Sequence, residues 1–124
     1  MARLPPTGLC QRKNHRRMLK VIAQDFIKPE AVEIVLPLYW ELIEKTRREE
    51  LCIAYDLFVD QKDTGHFTLI EEWPCRAALD AHCATEHFTQ LVPLINVHQR
   101  QAATFILMDV FSAGAAADVD AALT

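Results

Sequence analysis

Trp73 and His82 are the side chains whose types and spacing point most directly to chemistry. Trp73 closes a run that alternates like a strand, and His82 falls two turns into the helix expected after Pro74, so both can face one cavity. An indole wall beside an imidazole suits a planar phenol: the ring stacks on Trp73, and neutral His82 accepts the phenol proton. A deprotonated phenol is electron-rich enough to pass an electron to molecular oxygen directly, without metal or organic cofactor. The same pair also fits a plain core, as a packed tryptophan and a hydrogen-bonded histidine. Tyr55 and Tyr39 can line the same cavity and offer a hydroxyl to a small aromatic substrate, or serve simply as core aromatics. Glu72 precedes Trp73 and so points to the opposite face of the strand. There it orients a ligand, or pairs with Arg47 or Arg48 across a dimer; a solvated ion pair accounts for it as well. His82/Glu86 and Cys83/His87 are both i, i+4 pairs, each able to present two metal ligands on one helix face. The pairs face different directions and no third ligand is apparent, so no metal site is expected. His66 and His98 read as exposed strand-start and loop residues.

The rest of the chain bounds what such a site can be. Its 124 residues, 51% of them hydrophobic, give one domain with a real core. No apolar run reaches the ~18 residues a membrane span needs. The N-terminus lacks the apolar stretch of a secretory signal, which makes the cytoplasm the expected compartment. Residues 1–17 hold five basic side chains and no acid, whereas the remainder holds eight basic against seventeen acidic ones. A folded part this acidic is a poor partner for a nucleic acid. Four cysteines, Cys10, Cys52, Cys75 and Cys83, show neither CxxC spacing nor the density of a disulfide scaffold, so buried reduced thiols are expected.

Six elements must position the site. Residues 18–27 read as a strand. Lys28-Pro29-Glu30 breaks it and opens a helix whose Val32, Val35, Leu36, Tyr39, Leu42 and Ile43 share a face, with Pro37 expected to kink it. Residues 51–60 alternate as a second strand, 61–65 make a hairpin turn, and 66–73 return. Pro74 ends that strand and begins a second helix carrying Ala78, Leu79, His82, Phe88 and Leu91, and residues 104–111 form the last strand. The order βαββαβ with right-handed crossovers predicts an α+β, ferredoxin-like fold: one antiparallel sheet with two helices on one face. The segment 1–17 reads as a flexible basic extension, and 112–124 as an Ala-rich tail. The outer strands are apolar on both faces while helices cover only one, so a second copy of the sheet is expected to cover the other, giving a homodimer.

Three stretches together resemble the antibiotic biosynthesis monooxygenase (ABM) family across residues 18–111. They are Thr46-Arg47-Arg48-Glu49-Glu50-Leu51-Cys52-Ile53-Ala54-Tyr55, then Glu71-Glu72-Trp73, then His82 through Glu86-His87-Phe88. Leu51 departs from the glycine usual there. The resemblance implies a dimeric α/β barrel with a pocket between sheet and helices, and Phe88 joins Tyr55, Tyr39 and Glu72 as substrate-binding candidates. The best-known members oxidise quinols or polyphenols with molecular oxygen and no cofactor; others degrade haem, isomerise a sugar-phosphate-like signal, or serve as dimers without assigned activity. The haem branch relies on an asparagine late in strand one and a histidine further along the second helix; here stand Gln24-Asp25 and Leu91-Val92-Pro93. The isomerase branch wants a basic phosphate clamp, for which only Lys20, Lys28 and Arg76 are near. The expectation is therefore a cofactor-independent quinol or polyphenol monooxygenase with His82 as base and Trp73 as platform, or else a non-catalytic ligand-binding dimer.

Overall fold

A computed structural model describes Cys10 and residues 18–111. Four strands are built: β1 (Leu19–Ile27), β2 (Ala54–Asp60), β3 (Asp63–Trp73) and β4 (Gln99–Asp109). Three helices join them: α1 (Val32–Thr46), entered through a single 3-10 turn at Pro29–Ala31, α2 (Arg76–Cys83) and α3 (Glu86–Asn96). All pairings are antiparallel and the order across the sheet is β2-β3-β1-β4. This is the expected ferredoxin-like arrangement, with an open sheet in the single chain rather than a closed barrel.

Period-2 burial decides which residues meet the helices. In β3, Gly65, Phe67, Leu69, Glu71 and Trp73 are buried and the residues between them are half-buried. Leu19, Val21, Ala23 and Ile27 of β1 and Tyr55 of β2 join that face, against Val35, Tyr39 and Leu42 of α1 and Leu91 and Ile95 of α3. Pro37 does not break α1: it lies on the exposed side of a continuous helix, where the missing N–H is cheapest to lose. Gly65 is fixed by close approach. A Cβ there would lie 2.2 Å from the Ile27 carbonyl oxygen, and backbone cannot swing away as a side-chain tip would. Gly65→Ala is expected to destabilise the fold by about 3 kcal/mol in denaturant unfolding.

Several boundaries differ from expectation. β2 starts at Ala54 because the chain after α1 is used as a loop: Glu49 N–H donates to the Thr46 carbonyl and Cys52 N–H to that of Glu49. Leu51 replaces glycine there without strain, since no described residue has positive φ. The hairpin turn shrinks to Gln61-Lys62, and β4 begins five residues earlier than residue 104 because Gln99 pairs with Ile27. The second helix is two helices. Thr85 ends α2 by donating its hydroxyl to the His82 carbonyl (2.7 Å), and caps α3 by accepting from Phe88 N–H (3.2 Å).

The cysteine expectation is corrected. Cys10 and Cys75 form a disulfide with Cα atoms 5.7 Å apart, while Cys52 and Cys83 are free. Spacing of 65 residues hid the pair, since only the tertiary fold brings Cys10 to the loop before α2. Cross-linking so long a loop removes chain entropy from the unfolded state. Reduction, or Cys75→Ser, is expected to lower stability by about 2–4 kcal/mol, read as a lower melting temperature. Disulfides persist in oxidising surroundings, which does not favour the cytoplasmic expectation. No helix among the described residues is long and apolar enough to cross a membrane. Apart from Cys10, the expectations for 1–17 and 112–124 lie outside the described residues.

Candidate functional site

Between the inner face of the sheet and helices α1 and α3 lies a cavity of about 520 Å³. Tyr39, Tyr55, Phe88 and Phe105 supply its aromatic wall, and Ala23, Leu42, Leu69, Val92 and Ile95 its aliphatic one. Its two carboxyl groups, Asp25 and Glu71, sit apart from one another. Asp25 is four residues along β1 from Val21, the partner of Glu71, so the two carboxyl groups enter from different ends.

At the Asp25 end the carboxylate is held on both oxygens. Tyr39 donates its hydroxyl to Oδ2 (2.5 Å), and Gln99 donates Nε2–H to Oδ1 (2.8 Å). Burial and the Asp25 charge push the Tyr39 phenol far above its ordinary range, so it stays protonated and donates. Arg100 also borders the cavity, but its guanidinium is tied to Asp63 (2.6 Å).

At the other end Glu71 is buried at 4% exposure. Trp73 donates Nε1–H to its Oε1 (2.9 Å). Desolvation raises the Glu71 pKa above the usual carboxylate value, opposed by the Trp73 hydrogen bond and the His82 charge. Glu71 is therefore a cavity carboxyl group poised to exchange a proton closer to neutrality than a surface glutamate does.

Behind Glu71 stands a polar cluster. His82 is buried, its ring 4.7 Å from that of Trp73, 5.3 Å from Tyr55 and 5.0 Å from Phe88. Its Nδ1 lies 2.8 Å from Glu49 Oε2, and the same oxygen lies 2.6 Å from His87 Nε2. A carboxylate oxygen accepts, so both imidazole nitrogens donate to it. His82 Nε2 is buried, and no hydrogen-bond partner meets it among the described residues.

The sequence-derived candidates are distributed as follows. Tyr39, Tyr55 and Phe88 come together on the cavity wall. Trp73 and His82 are brought together too, but as the layer behind it: both are fully buried, and neither borders the cavity. Glu72 is turned to the other face of the sheet and pairs with Lys20 (2.9 Å), while Arg47 pairs with Asp56 and Arg48 with Glu44. Glu71, Asp25 and Glu49 were missed. Alternation that sends Glu72 outward sends Glu71 inward, a signal present in the sequence but read only for its neighbour.

Neither i, i+4 pair can act as two ligands on one helix, because the break at Ala84-Thr85 puts His82 and Cys83 on α2 and Glu86 and His87 on α3. Among the described residues Glu49, His82 and His87 do gather three donor atoms within 4.8 Å. Separations of 2.6 and 2.8 Å are hydrogen-bond lengths. Ligands of one tetrahedral zinc stand about 3.3 Å apart.

The architecture is of the α+β class: a ferredoxin-like sheet whose helices roof an aromatic cavity, with a buried acid at its end. Residues 18–94 match the family described as antibiotic biosynthesis monooxygenase, and the chain belongs to it. The crystal structure of an antibiotic biosynthesis monooxygenase is 78% identical and superposes with a TM-score of 0.75, the match covering 76% of this chain and 99% of that one. The Synechocystis protein sll1783, of uncharacterized function, is 36% identical over 66 residues, 53% of this chain and 45% of that protein. A Mycobacterium tuberculosis protein named "Putative monooxygenase Rv0793" is 35% identical over 68 residues, 55% of this chain and 66% of its own length. The matches thus span about half to two thirds of these curated relatives.

Proposed function

We propose that this chain is a cofactor-independent monooxygenase for a quinol or related polyphenol, with Glu71 as the group that takes the phenol proton. The observation that carries this reading is the buried Glu71 carboxyl group, its pKa raised by desolvation, at the end of an aromatic-walled cavity. Family membership and a relative named for monooxygenase activity support it. A flat ring packs against Tyr55 and Phe88 and gives one hydroxyl proton to Glu71. The Asp25 carboxylate, at the far end, accepts a hydrogen bond from a second hydroxyl. Trp73 acts here by holding Glu71 through its indole N–H rather than by stacking on the substrate.

Deprotonation raises the electron density of the ring, which then reduces molecular oxygen. One oxygen atom enters the ring and the other leaves as water, so that a hydroquinone and one dioxygen give a hydroxyquinone and one water. The quinol supplies every electron and every proton. Turnover under heavy-isotope oxygen tests this: one labelled atom is expected in the product. An unlabelled quinone, or aromatic ligands that raise the melting temperature without any turnover, would favour a binding dimer instead.

The homodimer belongs to the same proposal. Phe58 and Ile106, on the sheet face away from the helices, are 52% and 47% exposed, and Phe105 borders the cavity while 66% exposed. A second copy would cover the first pair and narrow the opening beside Phe105. Gel filtration is expected to give twice the 14.1 kDa chain mass, and a stable monomer would contradict it.

A further inference from the structure

At the Asp25 end, the cavity carries a carboxylate that is hydrogen-bonded but paired with no cation among the described residues. Its two oxygens take hydrogen bonds from the Tyr39 hydroxyl and the Gln99 amide, both neutral donors. Arg100 borders the same cavity, yet its guanidinium is committed to Asp63 and lies over the Phe26 ring. A carboxylate has about four acceptor sites, so each oxygen keeps one after Tyr39 and Gln99 are served. The group is also held in place. Gln99 accepts from the Phe26 N–H at its Oε1 (2.7 Å), which leaves its Nε2 facing Asp25. Opposite Asp25 the sheet is irregular: Gln24 pairs with Thr104 and Phe26 with Gln101, so Ala102 and Ala103 together face the one aspartate. Such a bulge re-aims side chains, and two small residues there leave space beside the carboxylate. Burial first, and the Asp25 charge second, push the Tyr39 phenol up. An anion on the wall of an aromatic pocket is costly until a cation pairs with it.

We propose that Asp25 is an ammonium subsite and that the substrate is an amine-bearing quinol, its ring hydroxyl at Glu71 and its amine, on a short arm, at Asp25. This rests on the monooxygenase reading above and names the chemical class of its substrate. The ammonium takes the place that a second hydroxyl holds in a neutral polyphenol. It makes a charge-assisted hydrogen bond there and cancels the carboxylate charge, which a hydroxyl does not. The spacing fits one ring with an arm. Asp25 and Glu71 stand four residues apart along the paired strands, roughly 13 Å at the rise of a strand. With a hydrogen bond of about 2.8 Å at each end, a molecule with about 8 Å between its two polar atoms spans them. Charge at longer range acts the same way. Residues 18–124 hold seventeen acidic side chains against eight basic ones, a field that draws cations in and repels carboxylated or phosphorylated aromatics.

Calorimetric binding of three phenols that differ at the end of their arm tests this without turnover: tyramine, its alcohol analogue tyrosol, and the carboxylate para-hydroxyphenylacetate. At neutral pH the wild type is expected to bind tyramine on the order of tenfold more tightly than tyrosol, and the carboxylate most weakly. Asp25→Asn keeps the shape, since its amide oxygen accepts from Gln99 and its amide nitrogen donates to Tyr39. It is expected to erase the tyramine advantage. Should Asp25→Asn not fold, salt gives the second reading on the wild type: the preference for tyramine falls as ionic strength rises, while tyrosol binding holds. A wild type that shows this order yet oxidises no quinol leaves the ammonium subsite standing and sinks the monooxygenase reading. Equal affinity for tyramine and tyrosol, an order that survives Asp25→Asn, or binding of none of the three overturns the subsite, whatever the oxygen-uptake assays give.

Discussion

Glu71→Gln is expected to cut quinol-dependent oxygen uptake on the order of a hundredfold while leaving the protein folded and, at neutral pH, at least as stable. The two halves have one cause. Desolvation disfavours the Glu71 carboxylate, so its pKa in the folded protein lies above the unfolded value. For an acid shifted this way the stabilising contribution is full below the unfolded pKa and is lost as pH rises through the folded pKa. At neutral pH the wild type bears the cost of a buried anion, and glutamine removes it. The amide oxygen still accepts from Trp73 Nε1, so the packing survives. What glutamine cannot do is accept a phenol proton. The general-base contribution of roughly 10²–10⁴ is therefore lost from kcat/KM. In the wild type kcat/KM is expected to climb with pH through the raised Glu71 pKa, and in the variant that rise is absent. Denaturant unfolding and oxygen-electrode rates over pH check both halves.

Trp73→Ala has the largest expected effect on the fold itself. The side chain is fully buried, against the rings of His82 at 4.7 Å and Tyr55 at 6.4 Å. Removing it leaves a cavity beneath the end of β3, with an expected loss of about 3–5 kcal/mol. The variant also deprives Glu71 of the one side-chain donor it has among the described residues, leaving a buried carboxyl group without that hydrogen bond. Trp73→Phe separates the two effects. It keeps most of the volume, so stability should fall far less, yet Glu71 loses its hydrogen bond and its pKa should move further up. The pH profile of oxygen uptake is then displaced to higher pH. If Trp73→Phe leaves that profile where it was, the indole N–H does not tune Glu71.

The backbone plan was legible because each element carries its own period. Alternation over β1 and β3 and the three-four spacing of α1 place the core face without knowledge of the fold, and the count of covered faces follows. Legibility ended where side chains from distant segments converge. Glu49 lies 33 residues from His82, in a loop with no period to read, and nothing local marks it as the partner of two histidines. Cys10 and Cys75 are hidden by the same distance. Two other misses were readable. Thr85 followed by Glu86 is a helix-start signal, and taking it would have split the helix and dissolved both i, i+4 ligand pairs. Glu71 faces the core by the same parity that turns Glu72 away, but a charged residue at a core position conflicts with the binary pattern. Such conflicts concentrate at functional sites, where a stability cost is retained for chemistry.

The central claim is that the cavity carboxyl group of Glu71 drives oxidation of a phenol by dioxygen. Oxygen uptake with a panel of hydroquinones, on wild type and Glu71→Gln at equal folded concentration, tests it most directly. The expected result is steady uptake by the wild type with at least one quinol and almost none by the variant. Equal uptake by the two proteins, or none by the wild type with any quinol, would contradict it.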